Sequence, residues 1–387
     1  MTIPLTLYCH FPWCIEKCPY CDFNSYTHKA KDDFSEYTTS LCHDLIASAK
    51  GIQRPIKAIF FGGGTPSLFP ADALIQVIRC IKAHYSLAED CEFTMEMNPN
   101  THREHCDKLA QLRDNGINRL SIGAQSFSNR QLKRLGRTHQ HDHIHKTFMA
   151  AKQARFDNIN LDIMYALPKQ TLRECLEDLK QAVTLQPTHL SWYCLTIEPN
   201  TYFSAHPPPL PSDTSTYRMM QQGQALLKQH NYQHYEVSAF SRSTTLQCQH
   251  NLNYWTFGDY LGVGCGAHSK LSTYQDNQLQ VTRYHRHKTP KAYQLAPTHA
   301  VAKQQLDKTD LIFEYMLNHL RLKRPLDPKH FTQHTHLNFS ICQQQIQTAI
   351  TDGLLIPKGS LYLISTKGER YLNNLMSYFL DLKETSN

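Results

Sequence analysis

The chain has 387 residues, of which 41% are hydrophobic and 19% are charged, and its formal net charge is +7. This composition is typical of a folded globular protein and excludes intrinsic disorder. No apolar run approaches the roughly 18 residues of a membrane span, and the first residues lack the features of a secretory signal. We therefore expect a cytoplasmic protein of two or three domains without an integral membrane segment, with peripheral association left open.

Short apolar runs alternate with helical patterns through the first half of the chain. The candidate strands are Leu5–Cys9, Lys57–Phe61, Glu92–Met97, Arg119–Gly123, Ile159–Met164 and His189–Leu195. The candidate helices are Asp33–Ala49, Ala71–His84, Arg103–Asn115, Ile144–Ala154 and Leu172–Leu185. This alternation predicts right-handed crossovers and a parallel sheet. Six such units fit either an incomplete (β/α) barrel or an open doubly wound sheet, and both folds bind ligands at the carboxyl ends of their strands.

The second half of the chain has weaker patterns. A helix is expected near Thr216–Gln229, and the aromatic and glycine-rich stretch Tyr235–Ser269 is expected to be irregular or antiparallel. The polar and basic stretch Val281–Lys303 resembles a connection. The last 80 or so residues predict a small α+β module of winged-helix type, in which Thr366 and Glu369 have the spacing of a capping box for the final helix. Nothing there supplies a basic recognition helix, so no nucleic-acid partner is expected.

Three of the 13 cysteines form a tight motif directly after the first strand. Cys14, Cys18 and Cys21 give the pattern C-x₃-C-x₂-C. Three thiolates in so short a loop favour zinc or an iron–sulfur cluster. A structural zinc site needs a fourth ligand, and the nearest candidates are Cys9 and His10 because the sequence has no second C-x₂-C. Three ligands for a four-iron cluster instead leave one iron open to a small molecule.

Polar and glycine residues gather where the predicted strands end. The run Gly62–Pro66 follows an apolar strand, and its glycines let the backbone approach a ligand closely. Glu96, Gln125 and Asp162 each stand near the end of a different strand, and Arg137 offers a partner for a carboxylate. Each of these residues alone is more typical of an exposed or capping position. Together with the cysteines they indicate a ligand site.

The cysteine motif, with an aromatic residue between its second and third cysteines, resembles the signature of radical S-adenosylmethionine (SAM) enzymes. The flanking residues His10–Trp13 and Lys17–Phe23 resemble the oxygen-independent coproporphyrinogen III dehydrogenase family, and within it the HemW heme chaperone branch. The resemblance extends from about Leu5 to Leu380 and is strongest before Ser269.

This resemblance implies an α/β fold: an incomplete (β/α)6 radical SAM barrel in residues 1–200, an aromatic and glycine-rich extension with a heme motif in 201–300, and a small α+β, winged-helix-like domain in 301–387. It implies one [4Fe–4S] cluster on the three cysteines. The implied SAM contacts are Tyr8, Tyr20, Gly63, Gly64, Thr65, Glu96, Gln125, Arg137 and Asp162. In this family the reduced cluster and SAM supply the radical chemistry.

The resemblance leaves two activities open, which are porphyrinogen decarboxylation and heme delivery to an unidentified acceptor protein. The enzyme branch has a further cysteine where this chain has Phe23, and a longer extension before the residue equivalent to Cys14. The segment His250–Trp255 matches the H-N-x-x-Y-W heme motif of the chaperone branch. The implied heme contacts are His250, Asn251, Tyr254 and Trp255. We therefore predict a heme chaperone without coproporphyrinogen dehydrogenase activity.

Two further groups of residues are less specific. His139, His141, His143 and His145 favour a solvated polar surface over a metal site, because no thiol partner is adjacent. The basic run Arg283–Lys291 is either a solvated linker or a surface that attracts the anionic propionates of heme.

Overall fold

The computed structural model describes residues 3–99, 105–275 and 278–380. The strands are β1 Leu5–Phe11, β2 Trp13–Cys14, β3 Tyr26–Thr27, β4 Ile56–Gly63, β5 Leu87–Met97, β6 Arg119–Gln125, β7 Asn158–Tyr165, β8 His189–Cys194, β9 Gln233–Glu236, β10 Ala239–Ser241, β11 Asp259–Val263, β12 His268–Gln275, β13 Gln278–His285, β14 Val301–Gln305, β15 Leu355–Lys358 and β16 Leu361–Ile364.

The α-helices are connected to these strands mostly by short loops. They are α1 Phe34–Ser48, α2 Ala71–His84, α3 His105–Asp114, α4 Asn129–Arg134, α5 His141–Gln153, α6 Leu172–Thr184, α7 Tyr202–Ala205, α8 Asp213–Gln229, α9 Gln249–Trp255, α10 Pro290–Leu295, α11 Lys308–His319, α12 Pro328–Thr335, α13 Gln343–Thr351, α14 Thr366–Arg370 and α15 Leu372–Ser377. No helix in the described part of the chain is long and apolar enough to cross a membrane.

A twelve-stranded sheet forms the centre of the fold. Its strands β1, β4, β5, β6, β7 and β8 lie side by side in chain order and are parallel. These are the six strands that the sequence predicts, so the α/β prediction is confirmed. The predicted helices between them are present as α1, α2, α3, α5 and α6, and the sequence analysis missed the short α4. Arg103, expected in the third helix, lies outside the described residues.

The parallel strands present apolar side chains to one face and polar side chains to the other. In β1, Leu7 and Cys9 belong to the main hydrophobic core, whereas Tyr8 and His10 line a cavity. In β6, Leu120 belongs to that core and Ser121 lines the cavity. Because successive side chains of a strand point to opposite faces, this alternation gives the sheet one face that packs on helices and one face available for ligands.

The second half of the chain is more regular than its sequence indicates. The stretch Tyr235–Ser269 contains the strand β10, which pairs antiparallel with β8 and β9 as the sequence allows. It also contains the helix α9 and the strand β11, which pairs in parallel with β1 on the side opposite β4. The prediction of a connection over Val281–Lys303 was wrong, because this stretch forms most of β13, all of α10 and part of β14. Most side chains of β13 are half-buried on both faces, so the strand has no apolar alternation to recognise.

The last part of the chain forms a second hydrophobic core. Residues from α11 to α15 pack there against Phe257 and Val281, and β15 and β16 form an antiparallel hairpin. The helix α14 is capped by Ser365, whose hydroxyl accepts a hydrogen bond from the Gly368 amide at 2.9 Å. The predicted cap at Thr366 was therefore wrong by one residue.

Candidate functional site

The loop after β1 brings the three cysteines of the motif to one cavity. Cys14 is buried at the end of the short strand β2, and Cys18 and Cys21 are half-buried. All three thiols are free, and all three residues line the same cavity of about 250 Å³. The ammonium group of Lys17 holds the loop by donating hydrogen bonds to the Phe23 and Ser25 carbonyls, each at 3.1 Å.

The donor set around this cavity fits an iron–sulfur cluster better than a zinc ion. Within the described residues, no three His, Cys, Asp or Glu side chains are grouped closely enough to hold a single metal ion. The two candidates for a fourth zinc ligand are engaged elsewhere. Cys9 lies in the hydrophobic core, and both ring nitrogens of His10 are hydrogen-bonded, to the Tyr8 hydroxyl and the Asn24 carbonyl. Three soft thiols spread over one cavity wall suit a larger cluster.

Most of the predicted SAM contacts line this same cavity. They come from the cysteine loop, from the ends of β4 to β7 and from the loops that follow them. The residues are Tyr20, Gly63, Gly64, Thr65, Glu96, Gln125, Arg137 and Asp162. Tyr8, which was predicted with them, lines the adjoining cavity instead.

Glycine is required at the end of β4. Gly63 has a φ of +110°, and a Cβ atom there would lie 2.3 Å from the His10 ring. A Cβ atom on Gly64 would lie 2.7 Å from the carbonyl oxygen of Trp13. The backbone therefore crosses the cysteine loop at a distance that no other residue permits, and the Gly63 amide is left to donate to Glu96 at 3.1 Å.

Two buried carboxyl groups form the acidic part of the cavity. Burial, and secondarily the nearby Asp162, raises the pKa of Glu96 to about 8. Burial also raises the pKa of Asp162, although hydrogen bonds from Asn160 and Ser121 oppose that rise. A cationic ligand would relieve the cost of ionising these groups. The amino and sulfonium groups of SAM are cations, so the residues present fit that molecule.

Arg137 forms the opposite, basic part of the cavity. Its guanidinium donates hydrogen bonds to the Asn98 side chain, to the Gly123 carbonyl at 3.0 Å and to the Cys18 sulfur at 3.5 Å. The hydroxyl of Tyr193 donates to Gln125 at 2.8 Å. The sequence analysis did not assign Asn98 or Tyr193, although both follow the strand-end rule that selected Glu96.

A larger cavity of about 810 Å³ adjoins the first. Six residues line both cavities: Phe23, Ser25, Gly63, Glu96, Ser121 and Asp162. The walls of the larger cavity are rich in aromatic side chains. These are Tyr8, Phe23, Tyr26, Phe60, Tyr254 and Tyr260. Its size lies in the range of cofactor sites, and its walls suit a flat apolar molecule.

The helix α9 places His250 in this larger cavity. Glu92 holds the start of the helix, because its carboxylate accepts hydrogen bonds from the Gln249 amide at 3.0 Å and the His250 amide at 3.2 Å. The His250 ring lies with its centroid 5.0 Å from that of Phe60 and 4.9 Å from that of Tyr254. Burial, aided by Arg119, lowers the pKa of His250 to about 3, so the ring is neutral and able to ligate a metal.

The other predicted heme contacts divide between the two faces of α9. Asn251 and Tyr254 line the larger cavity with His250. Trp255 does not line it, because its ring packs against the apolar cluster that contains Tyr235 and Leu322.

The two less specific groups of residues also have defined places. His139 is buried and its Nε2 lies 3.1 Å from the Ala124 carbonyl, so the expectation of a solvated surface was wrong for this residue. In the basic run, Arg286 forms a buried ion pair with Asp44 and Arg283 forms an ion pair with Glu314. Only Lys288 of the run lines the larger cavity, at its exposed rim.

The chain is similar to known proteins over nearly its whole length. The family model described as the radical SAM superfamily matches residues 8–182. The heme chaperone HemW of Escherichia coli (strain K12) is 42% identical over 380 residues, which cover 97% of this chain and 98% of that protein. The chain belongs to the HemW family of radical SAM proteins. The HemW of Haemophilus influenzae agrees, with 40% identity over 382 residues that cover 97% of this chain and 98% of that protein.

A solved structure confirms the fold. Coproporphyrinogen III oxidase (HemN) from Escherichia coli, a radical SAM enzyme, matches with a TM-score of 0.81 and 22% sequence identity. The match covers 98% of this chain and 90% of that chain. At this identity the similarity establishes the architecture, a HemN-like radical SAM structure with a large mixed sheet.

Proposed function

We propose that this protein is a heme chaperone that holds a [4Fe–4S] cluster and SAM in the smaller cavity, binds heme in the larger cavity and delivers it to an acceptor protein. The supporting observation is that the two cavities share six lining residues, among them Gly63, Glu96 and Asp162. One carries three thiols and the other a neutral histidine among aromatic rings. The names of the HemW relatives agree with this proposal.

In this proposal His250 is an axial ligand of the heme iron. Neutral histidine is a common ligand of heme, and the Nδ1 of His250 has no hydrogen-bond partner within the described residues. Tyr254 provides porphyrin-facing surface, and Asn251 lies on the same side of the helix. Trp255 contributes indirectly, because its packing against the Tyr235 cluster fixes the far face of α9.

In the smaller cavity, Cys14, Cys18 and Cys21 would hold the cluster, which with SAM supplies one-electron chemistry when bound. Glu96 would accept from the amino group of SAM, and Arg137 would bind its carboxylate. Because Gly63 and Gly64 have no side chains, the backbone there would let SAM approach Glu96 and Arg137 closely.

Porphyrinogen decarboxylation is the second candidate function. It is favoured by the continuity of the two cavities, since a substrate in the larger one would face the ligands of the smaller one. The side chain of Phe23 opposes it. This residue stands at the position of the extra cysteine of the enzyme branch and lines both cavities.

A heme titration of anaerobically reconstituted protein tests the proposal. We expect His250→Ala to shift the Soret band and weaken binding at least about tenfold, because an axial ligand is lost. His287→Ala is the matched control, since that half-buried histidine pairs with His299 and does not line the cavity. Cys14→Ser should still bind heme. Unchanged affinity and an unchanged spectrum in His250→Ala would refute the assignment.

The same reconstituted protein distinguishes the second candidate. With SAM, a reductant and coproporphyrinogen III, we expect no protoporphyrinogen above the level of a cluster-free control. Turnover above that level would assign the protein to the enzyme class.

A further inference from the structure

Arg119 is a buried cation with few hydrogen-bond partners. It begins β6, it is 2% exposed, and it lines the larger cavity. One of its terminal nitrogens donates to the Thr94 hydroxyl at 3.4 Å, and its Nε has no hydrogen-bond partner within the described residues. A guanidinium group carries five N–H donors, so this one is poorly satisfied for a buried group.

The nearest carboxylate does not complete the coordination of Arg119. The Oε2 of Glu92 lies 3.9 Å from the Arg119 Nε, beyond hydrogen-bond distance. Both oxygens of Glu92 are engaged by the start of α9, through the Gln249 and His250 amides and the Cys248 thiol. Glu92 therefore compensates part of the charge of Arg119 but offers no bidentate pair.

The other polar groups at the buried end of the cavity are engaged with one another. Asp162 accepts hydrogen bonds from Ser121 at 3.0 Å and from Asn160 at 2.8 Å. The side-chain oxygen of Asn160 accepts in turn from Ser191 at 3.2 Å and contacts the ring of His189. Among the described residues, the charged donor that remains for a ligand at this end of the cavity is therefore Arg119.

The remaining cations of the larger cavity lie elsewhere. The Lys17 ammonium is held by the two carbonyls of the cysteine loop, and Lys288 is exposed at the rim. The cavity thus has aromatic walls, two acidic side chains, Glu96 and Asp162, where it meets the smaller cavity, a buried guanidinium at its floor and an exposed lysine at its rim. This distribution matches an apolar ring system that bears carboxylate side chains.

We propose that Arg119 binds a carboxylate of the ligand of the larger cavity, so that a tetrapyrrole enters with a propionate directed to the floor beside His250. This inference rests on the proposed function and specifies the ligand class as a tetrapyrrole with a free carboxylate. Arginine and carboxylate form two parallel hydrogen bonds that are charge-assisted. This suits a site where, among the residues that the structure describes, Thr94 is the side chain hydrogen-bonded to the guanidinium.

The test compares heme with heme dimethyl ester, which has the same ring and no anionic side chain. Wild-type protein should bind heme about tenfold to a hundredfold more tightly than the ester. This is the gain in affinity that hydrogen bonds to a charged group typically provide. Arg119→Met should lose this preference and keep the affinity for the ester. Lys288→Met is the matched control, which removes a cation from the same cavity at its rim and should retain the preference.

Two further variants separate a binding effect from a folding effect. Arg119→Lys keeps the charge and should retain part of the preference. The double variant Glu92→Gln, Arg119→Met removes both members of the buried pair, leaves no uncompensated carboxylate and should also lose the preference. Iron content and far-UV circular dichroism report whether each variant folds.

Each outcome of this comparison is decisive. If folded Arg119→Met or the folded double variant keeps the wild-type preference, the inference is wrong and the proposed function stands. If Lys288→Met, and not Arg119→Met, loses the preference for heme over its ester, the carboxylate binds at the rim and the inference is also wrong. If wild-type protein binds neither heme nor the ester, the proposed function fails and the inference fails with it.

Discussion

The thiol of Cys14 is protonated in the chain without a metal. Burial raises the pKa of this thiol to about 11, so the thiolate forms only where a nearby positive charge compensates it. Coordination to iron would provide that charge and remove the proton. Cluster binding by this loop would therefore release a proton from Cys14.

We predict that serine at Cys14, Cys18 or Cys21 removes most of the visible absorbance, iron and sulfide of the anaerobically reconstituted protein. The hydroxyl group is a weaker and harder ligand than the thiolate. Cys106→Ser is the matched control, because that half-buried thiol contacts Gln153 away from the cavity. A triple serine variant with full iron and sulfide content would contradict the cluster assignment.

Glu96 makes the stability of the SAM-free protein depend on pH. Its pKa is raised from 4.5 to about 8, so the folded chain holds this proton more tightly than the unfolded chain. The contribution of the neutral carboxyl is complete below about pH 4.5 and is lost as the pH rises through 8. Above pH 8 the ionised group destabilises the fold.

We predict that Glu96→Gln raises the free energy of unfolding at pH 9 by a few kcal/mol and changes it little near pH 5, where the wild-type group is neutral in the fold. Urea unfolding across this range measures the difference. Glu89→Gln, on the exposed part of the same strand, is the control. If the effect of Glu96→Gln is the same at pH 5 and pH 9, the assigned shift is wrong.

At the scale of single elements, the end of β4 depends on its glycines. Alanine at Gly63 would adopt a φ of +110° and place its Cβ within 2.3 Å of the His10 ring. Gly51 also has a positive φ, +85°, but a Cβ there would meet no atom within 4 Å. A comparison of alanine substitutions at Gly51 and Gly63 therefore separates the cost of backbone strain from the cost of steric overlap.

We predict that Gly51→Ala costs about 1–2 kcal/mol, the cost of the left-handed conformation. Gly63→Ala should cost clearly more and should also weaken SAM binding, because the shifted strand end no longer directs its amide to Glu96. Thermal unfolding and SAM titration measure the two effects. Equal losses of stability in the two variants would show that the close contact with His10 is unimportant.

The six parallel strands could be predicted because each is buried on its core face and appears as a short apolar run. The strand-end rule then located Glu96, Gln125 and Asp162 correctly beside one another. The strand β11 could not be predicted in the same way. It pairs with β1 across more than 250 positions of sequence, as in the pairing of Leu5 with Asp259, and no local pattern encodes such a contact.

The heme motif shows what cannot be predicted from the sequence about a single helix. The spacing of its residues does not indicate which face of α9 is directed to the cavity. The structure places His250 and Tyr254, four residues apart, on one face, while Trp255 turns to the apolar cluster on the other. Arg119 was missed for a related reason, since a charged residue at the start of an apolar run is ordinarily a strand boundary.

At the scale of the whole molecule, buried ion pairs join the barrel to the later part of the chain. Asp259 in β11 accepts from Arg54 at 2.7 Å and lies 3.3 Å from the buried Lys270 ammonium. Asp44 in α1 accepts from Arg286 at 2.6 Å. The helix α1 and the loop that follows it are thus held by residues more than 200 positions downstream.

The Asp44 site gives a direct test of this dependence. Besides Arg286, the buried carboxylate accepts from the Tyr293 hydroxyl at 3.0 Å and the Gly264 amide at 3.2 Å. Burial raises the pKa of Asp44 and Arg286 opposes that rise. Removing the guanidinium alone would leave a buried carboxyl without its main partner.

We predict that Arg286→Met lowers the free energy of unfolding by about 3–5 kcal/mol, the cost of breaking a buried pair from one side. The double variant Asp44→Asn, Arg286→Met should recover part of this loss, because no charge remains to be compensated. Arg130→Met, which breaks the exposed ion pair with Glu174, should cost less than about 1 kcal/mol. Denaturant unfolding of the full chain measures all three. If Arg286→Met costs no more than Arg130→Met, the two parts of the chain are not joined through Asp44.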